Sequence, residues 1–151
     1  MRLTWKSLMF TFIKNISIRK EQYKLVTLSE DAIKAFFRNE IKTHIKLCTE
    51  HDNSMYLCYN VADFSLTDTY AIVKDNIVCA FCLKPRYANG VAMRLYTSPD
   101  FRRKGLGSTL LKECKIKTLS CLVENKGAIA FYEKQGFKIE RKTDYLVDFK
   151  K

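Results

Sequence analysis

Ser98-Pro99-Asp100-Phe101-Arg102-Arg103-Lys104-Gly105-Leu106-Gly107 joins a strand to a helix. Pro99 ends the strand predicted by Val91-Ala92-Met93-Arg94-Leu95-Tyr96-Thr97, and the glycine pair opens a helix expected from about Leu106 to Lys115. The first backbone N–H groups of such a helix have no intrahelical acceptor. Together with the helix dipole they bind an anion, and glycine lets that anion approach without a Cβ in the way. Arg102, Arg103 and Lys104 arrive at the same place, and a diphosphate uses N–H donors and cations together. Taken alone, the glycine pair reads equally as an ordinary tight turn into a helix. Two nucleotide readings are excluded: no G-K-[ST] follows the loop, and Leu110 stands where G-x-G-x-x-G needs its third glycine.

On the N-terminal side, Ile16-Ser17-Ile18-Arg19 alternates as a strand does, and Ser29-Glu30-Asp31 supplies a cap and first-turn acids for a helix. Its apolar face is Ile33, Phe36, Phe37, Ile41, Ile45 and Cys48, and its basic face Lys34, Arg38, Lys42 and Lys46. The stretch from His51 to Thr69 has no clear period and is expected to be irregular or short-helical. Tyr70 to Lys74, the turn Asp75-Asn76, and Ile77 to Leu83 predict a hairpin. On the C-terminal side the pattern is a strand from Thr118 to Val123, a helix from Gly127 to Gln135, and strands from Phe137 and Tyr145 around the turn Lys142-Thr143-Asp144. Helices interleaved with strands predict an α/β fold, an α+β mixed sheet with helices on both faces. With 151 residues and no linker, residues 1–151 are expected to form a single domain.

The chain is 47% hydrophobic and 13% aromatic with two prolines, which excludes disorder and low-complexity classes. Its net charge of +11 is lopsided, with 11 basic against 9 acidic residues up to Asp75 and 16 against 7 beyond it. Such a field concentrates anions: phosphates, nucleotides or nucleic acid backbones. The apolar run Leu8 to Ile13 is too short for a membrane span and has no cleavage site behind it, so a packed first strand or an apolar flap is expected, with no membrane role. The six cysteines sit among apolar neighbours and are expected to be reduced, in a cytoplasmic protein. Cys79 and Cys82 form a C-x-x-C in a strand, where alternation would aim them at opposite faces. With that pair and only His44 and His51, no metal site is expected.

These residues resemble the GCN5-related N-acetyltransferases, the GNAT superfamily. The family's loop, [Q/R]-x-x-G-x-[G/A] after a strand ending in V-x-P, is similar to Arg102 to Gly107 after Thr97-Ser98-Pro99. Its next block, N-x-x-A-x-x-[F/L]-Y-x-x-x-G-F, is matched by Asn125, Ala128, Phe131, Tyr132, Gly136 and Phe137. The resemblance covers about Leu95 to Lys138, and it implies a GNAT-like acyl-coenzyme A-binding domain with a mostly antiparallel sheet and a cofactor-binding core at about residues 91–138.

By that resemblance the cofactor is acetyl-coenzyme A. The backbone of Leu95, Tyr96 and Thr97 would pair with pantetheine, and Arg102, Arg103, Lys104, Gly105, Leu106, Gly107 and Ser108 would hold the diphosphate. Asn125 would contact the pantetheine arm beside Ala128 and Phe131, and Tyr132 would protonate the departing thiolate as the catalytic acid. Each has a plainer alternative, packing for Tyr132 and a helix N-cap for Asn125. The chain departs from the pattern in having no carboxylate in Val91 to Thr97, so the base is unassigned among Glu124, Asp63, His51 and solvent. It also leaves just 17 residues between Gly107 and Asn125, so the helix after the loop must be short.

The function implied is N-acetyl transfer to a primary amine of a small molecule or protein, by a monomer or homodimer. The acceptor pocket would be shaped by residues 33–68 and 139–149, with Tyr56, Tyr59, Phe64 and Tyr145 as candidate lining. Two alternatives stay open: an aminoacyl-tRNA acetyltransferase of toxin type, with the basic helix face following tRNA phosphates, and a non-catalytic acyl-coenzyme A-binding protein.

Overall fold

The computed structural model describes residues 10–43 and 66–151. Strands β1 (Phe10–Ile18) and β2 (Glu21–Leu28) form an antiparallel hairpin where a single strand is expected. Its two turn residues, Arg19 and Lys20, both have positive φ, 50° and 70°. Two-residue hairpin turns need that conformation, but they normally announce it with Asn, Asp or Gly. Of the apolar run Leu8 to Ile13, Phe10 packs against the core cluster beside α1 while Phe12 and Ile13 are 51% and 42% exposed, and Leu8 and Met9 lie outside the described residues.

Helix α1 (Glu30–Thr43) starts at Ser29, whose Oγ accepts the Ala32 N–H at 3.1 Å. It buries Ala32, Ile33 and Phe36 against Val26, Leu28, Phe81 and Tyr96. Strands β3 (Thr67–Lys74) and β4 (Ile77–Pro85) make the expected hairpin, with Asp75 and Asn76 at φ 52° and 61°. β3 takes in Thr67 to Thr69, where irregular chain is expected, because two β-branched threonines there, Thr67 and Thr69, are buried.

The segment after Gly90 does not form one strand but two. β5 (Val91–Ala92) pairs parallel with β7 (Thr118–Leu122), and β6 (Arg94–Thr97) pairs antiparallel with β4. This divides the strands into a sheet ordered β1-β2-β3-β4-β6 and a sheet ordered β5-β7-β9-β8, with β8 (Lys138–Lys142) and β9 (Leu146–Lys150). Helices α2 (Leu106–Glu113) and α3 (Lys126–Lys134) cover the face opposite α1, where Leu106, Leu110, Leu111, Tyr132, Phe137 and Phe149 share a core with Ile72 and Cys82. The fold is thus a mixed, mostly antiparallel α/β architecture with helices on both faces. α2 stops at Glu113, two residues before the expected Lys115, which adopts a left-handed φ of 55°. Among the described residues no helix is long and apolar enough to cross a membrane.

The C-x-x-C pair departs from strand alternation. Ile72 pairs with Ala80 and Val73 with Val78, so Cys79 is the extra residue of a β-bulge. The bulge resets the phase, and Cys79 and Cys82 end in the same core cluster. Cys82 bonds instead to the thiol of Cys114 at the end of α2, and that bond together with burial pushes the Cys82 thiol up. No three His, Cys, Asp or Glu side chains gather as metal ligands among the described residues.

Candidate active site

The site begins where the two sheets part. Val91 pairs with Thr118 and Ala92 with Leu119, and beyond those pairs Arg94 and Ser120 lead into diverging strands. β6 is hydrogen-bonded to β4 along one edge and, as the outermost strand of its sheet, faces the gap with the other. An edge strand turns the N–H and C=O groups of alternate residues away from its partner, so β6 (Arg94–Thr97) offers backbone donors and acceptors to the gap. The Tyr96 side chain points away from the gap into the core under α1, 5.7 Å from the ring of Phe81.

β6 leads into the loop that the sequence singled out. The buried Ser98 donates its N–H to the carbonyl of Cys79 at 2.9 Å, and Pro99–Phe101 form one turn of 3₁₀ helix. Arg102 is turned back onto the strand: its Nε donates to the Thr97 carbonyl at 2.9 Å, and its guanidinium lies 5.6 Å from the ring centre of Tyr96. Arg103 and Lys104 are exposed, Arg103 with φ of 63° and Gly105 with φ of 84°. The first α-helical bond in α2 runs from the Thr109 N–H to the Gly105 carbonyl at 3.1 Å. No side chain caps this helix at Gly105, so the N–H groups of Leu106, Gly107 and Ser108 have no intrahelical acceptor where the loop meets it.

The second motif packs directly on the first. A Cβ at Gly107 would stand 3.2 Å from Cζ of Phe131 and 3.8 Å from Cδ2 of Leu95, so the loop packs closely on β6 and α3. Ser108 Oγ donates to Gln135 Oε1 at 2.7 Å, tying the first turn of α2 to the end of α3. Asn125 caps α3 by accepting the Ala128 N–H at 3.1 Å. Tyr132 is buried, with its ring 5.5 Å from Phe131, 6.2 Å from Phe137 and 5.5 Å from Phe149. Phe149 in turn lines an open cavity of about 420 Å³ at the fork, together with Val91 to Arg94, Ser120, Glu140 and Asp148.

One contributor escapes the sequence reading. Arg19, in the β1–β2 turn, donates Nη1 to the carbonyl of Arg103 at 2.8 Å, and its Nε is 3.6 Å from a Cβ built at Gly105. A lone arginine 84 residues upstream gives no sequence signal of this contact. Other sequence candidates do not line the fork cavity or lie outside the described residues. Tyr145 is 77% exposed and Glu124 is exposed, while His44, His51, Tyr56, Tyr59, Asp63 and Phe64 lie outside the described residues. On the basic face of α1, Lys34 pairs with Glu30 at 2.9 Å, Arg38 is exposed, and Lys46 lies outside the described residues.

Comparison with known proteins places this geometry. A family model described as an acetyltransferase (GNAT) domain matches residues 66–139, which span β3 through the whole of the second motif. A comparison with curated protein sequences finds no match. Among solved structures, the chain is similar to RimL, a ribosomal L7/L12 α-N-protein acetyltransferase, at 13% identity and a TM-score of 0.61 over 99% of this chain and 98% of that one. It is similar to a GNAT-family acetyltransferase from Listeria monocytogenes 4b F2365 at 9% identity and a TM-score of 0.60, over 91% and 99% of the two chains. It also resembles the ribosomal-protein-S18-alanine N-acetyltransferase from Escherichia coli at 18% identity and a TM-score of 0.54, over 84% and 91%. Residues 66–139, which carry the fork, the glycine loop and the second motif, thus match an acetyltransferase (GNAT) domain, and the fold around them is that of GNAT acetyltransferases.

Proposed function

We propose that the protein is an N-acetyltransferase that moves an acetyl group from acetyl-coenzyme A to a primary amine. The observation that carries this reading is the fork, where an unpaired β6 edge runs from the cavity to the uncapped N-terminus of α2. The residues fit coenzyme A. Its amide-containing arm would add to the β6 edge as a short strand, and its diphosphate would take the N–H groups of residues 106–108 with Arg103 and Lys104 beside them. Gly105 and Gly107 keep that approach clear. The Thr97 carbonyl already accepts from Arg102, so Arg102 serves by holding the end of β6 rather than by reaching for phosphate.

When bound, the donor supplies an activated thioester carbonyl. The amine nitrogen bonds to that carbon, the carbon–sulfur bond breaks with its electron pair on sulfur, and the ammonium proton leaves to water. Tyr132 would return a proton to the thiolate, from a ring held by Phe131, Phe137 and Phe149 behind the fork cavity. Asn125 would hold the arm from the α3 side while its Oδ1 keeps the cap.

The decisive measurement is release of the coenzyme A thiol from acetyl-coenzyme A in the presence of amines, with calorimetry of coenzyme A binding in parallel. Binding with amine-dependent release is expected. Tight binding without release to small amines, peptides or charged tRNA would leave a cofactor-binding protein instead, and no binding at all would remove the reading.

A further inference from the structure

The fork cavity is lined by charges of both signs. Arg94 stands at the first position of β6 beyond the parallel pairs, and Ser120 at the matching position of β7. Both line the cavity, with Glu140 and Asp148 from β8 and β9. Arg94 donates Nη1 to the carbonyl of Met93 at 2.7 Å, and its Nε is buried with no hydrogen-bond partner. No other buried side-chain nitrogen or oxygen among the described residues is left in that state. An unmade hydrogen bond on a buried nitrogen costs more than a made one contributes, so Arg94 is not fully satisfied by the protein alone.

The acids divide into one occupied and one open. Asp148 is fully engaged, its Oδ1 accepting from Ser120 Oγ at 2.6 Å and its Oδ2 from Arg141 Nε at 2.9 Å. Glu140 lines the same cavity, is exposed, and makes no ion pair with a described residue. A guanidinium edge presents two parallel N–H groups that match the two oxygens of a carboxylate, and a free carboxylate is the natural partner of an ammonium. At about 420 Å³ the cavity is at the small end of ligand sites, which run from roughly 300 to 1,000 Å³.

Resting on the N-acetyltransferase reading above, we propose that this cavity is the acceptor subsite and that the acceptor is a compact molecule carrying both a primary amine and a carboxylate. The carboxylate pairs with the Arg94 guanidinium where it lines the cavity, and the amine lies toward Glu140.

The test compares α-amino acids with their α-amides as acceptors of acetyl from acetyl-coenzyme A, using the full chain and reading thiol release. The acids are expected to exceed the amides in kcat/KM by about 10–100-fold, the size of a charge-assisted pair. Arg94→Gln should remove most of that preference, and Arg94→Lys, which keeps the charge but loses the fork, should restore part of it. If Arg94→Gln does not fold, the acid-to-amide ratio of the unaltered protein decides alone. Equal rates for acids and amides, a preference that survives Arg94→Gln, or turnover limited to amines lacking a carboxylate would overturn the proposal. Calorimetry of coenzyme A separates the two failures. A protein that binds coenzyme A and acetylates other amines sinks only the acceptor class, whereas one that binds no coenzyme A sinks the parent reading.

Discussion

Arg19 reaches across from the β1–β2 turn and donates Nη1 to the carbonyl of Arg103 at 2.8 Å. Arg103 is held at φ of 63°, a left-handed conformation that costs a non-glycine residue of order 1–2 kcal/mol, and this bond fixes the peptide that follows it. Arg19 is therefore a positioning residue for the anion loop. Arg19→Ala should raise KM for acetyl-coenzyme A about tenfold, the worth of one hydrogen bond to a charged group, with a smaller effect on kcat. Arg19→Lys should recover part of the loss. An unaltered KM in Arg19→Ala would show that the loop keeps its shape without the hairpin.

Gly107 separates anion binding from folding. A carboxylate in the first turn of a helix is favourable to the helix dipole, so Gly107→Glu should keep the helix while setting a negative charge among the diphosphate donors. Coenzyme A binding is expected to disappear by calorimetry in a variant with a native circular dichroism spectrum. Gly107→Ala is the control. Its gain of up to about 1 kcal/mol in helix propensity is set against a Cβ that would stand 3.2 Å from Phe131 Cζ, so its stability should stay near that of the parent. Wild-type affinity in folded Gly107→Glu would remove the loop from the cofactor site.

Tyr132→Phe keeps the ring among Phe131, Phe137 and Phe149 and deletes only the hydroxyl. General acids contribute roughly 10²–10⁴ in rate, so kcat should fall at least tenfold while acetyl-coenzyme A affinity changes little. Single-turnover rates with saturating acceptor would distinguish this from slow product release. Equal single-turnover rates would reduce Tyr132 to its packing role.

Tyr23 couples stability to pH on both sides. Its hydroxyl donates to Glu21 Oε2 at 2.8 Å, and burial followed by that bond raises its pKa to about 12. The folded state thus holds the phenol proton more tightly than the unfolded chain, so this contribution is complete below about pH 10 and is lost as pH rises toward 12. Glu21 moves the other way, held below its ordinary value of 4.5 first by Tyr23 and then by Lys74, so its contribution is present above that value and fades as pH falls through the folded pKa. Tyr23→Phe should flatten the fall in melting temperature above pH 10 and weaken the acid-side dependence. A profile parallel to that of the parent from pH 3 to 12 would contradict both assignments.

What the sequence offers of the candidate site, it offers where the signal is local. Gly105, Gly107, Asn125 and Tyr132 belong to two short motifs whose spacing is set by a single turn or helix, and the turns at Asp75-Asn76 and after Ser98 announce themselves by residue type. The Arg19-Lys20 turn was hidden because two basic residues occupy left-handed positions that usually belong to glycine or asparagine. The break at Met93 was hidden because it arises from which neighbours β5 and β6 find, β7 for one and β4 for the other, and not from the seven residues themselves. Arg94, Ser120, Glu140 and Asp148 come from four strands, so no window of sequence shows them as one cavity. The bulge at Cys79 likewise depends on how many residues β3 offers opposite it.

The insertion of β9 between β7 and β8 has a consequence in time as well as in space. The first sheet can grow as the chain emerges, since β1, β2, β3 and β4 each pair with the strand just made. The second sheet cannot: β7 has two parallel pairs to β5 and otherwise waits for Leu146–Lys150, which must thread between strands made earlier. Pairings of that kind close long loops and form slowly. On a ribosome, then, the half-made protein already carries its glycine loop and its β6 edge but lacks the opposite wall of the gap, so competence to bind the acetyl donor should arrive in one late step, once the strand at residues 146–150 is free to enter the sheet.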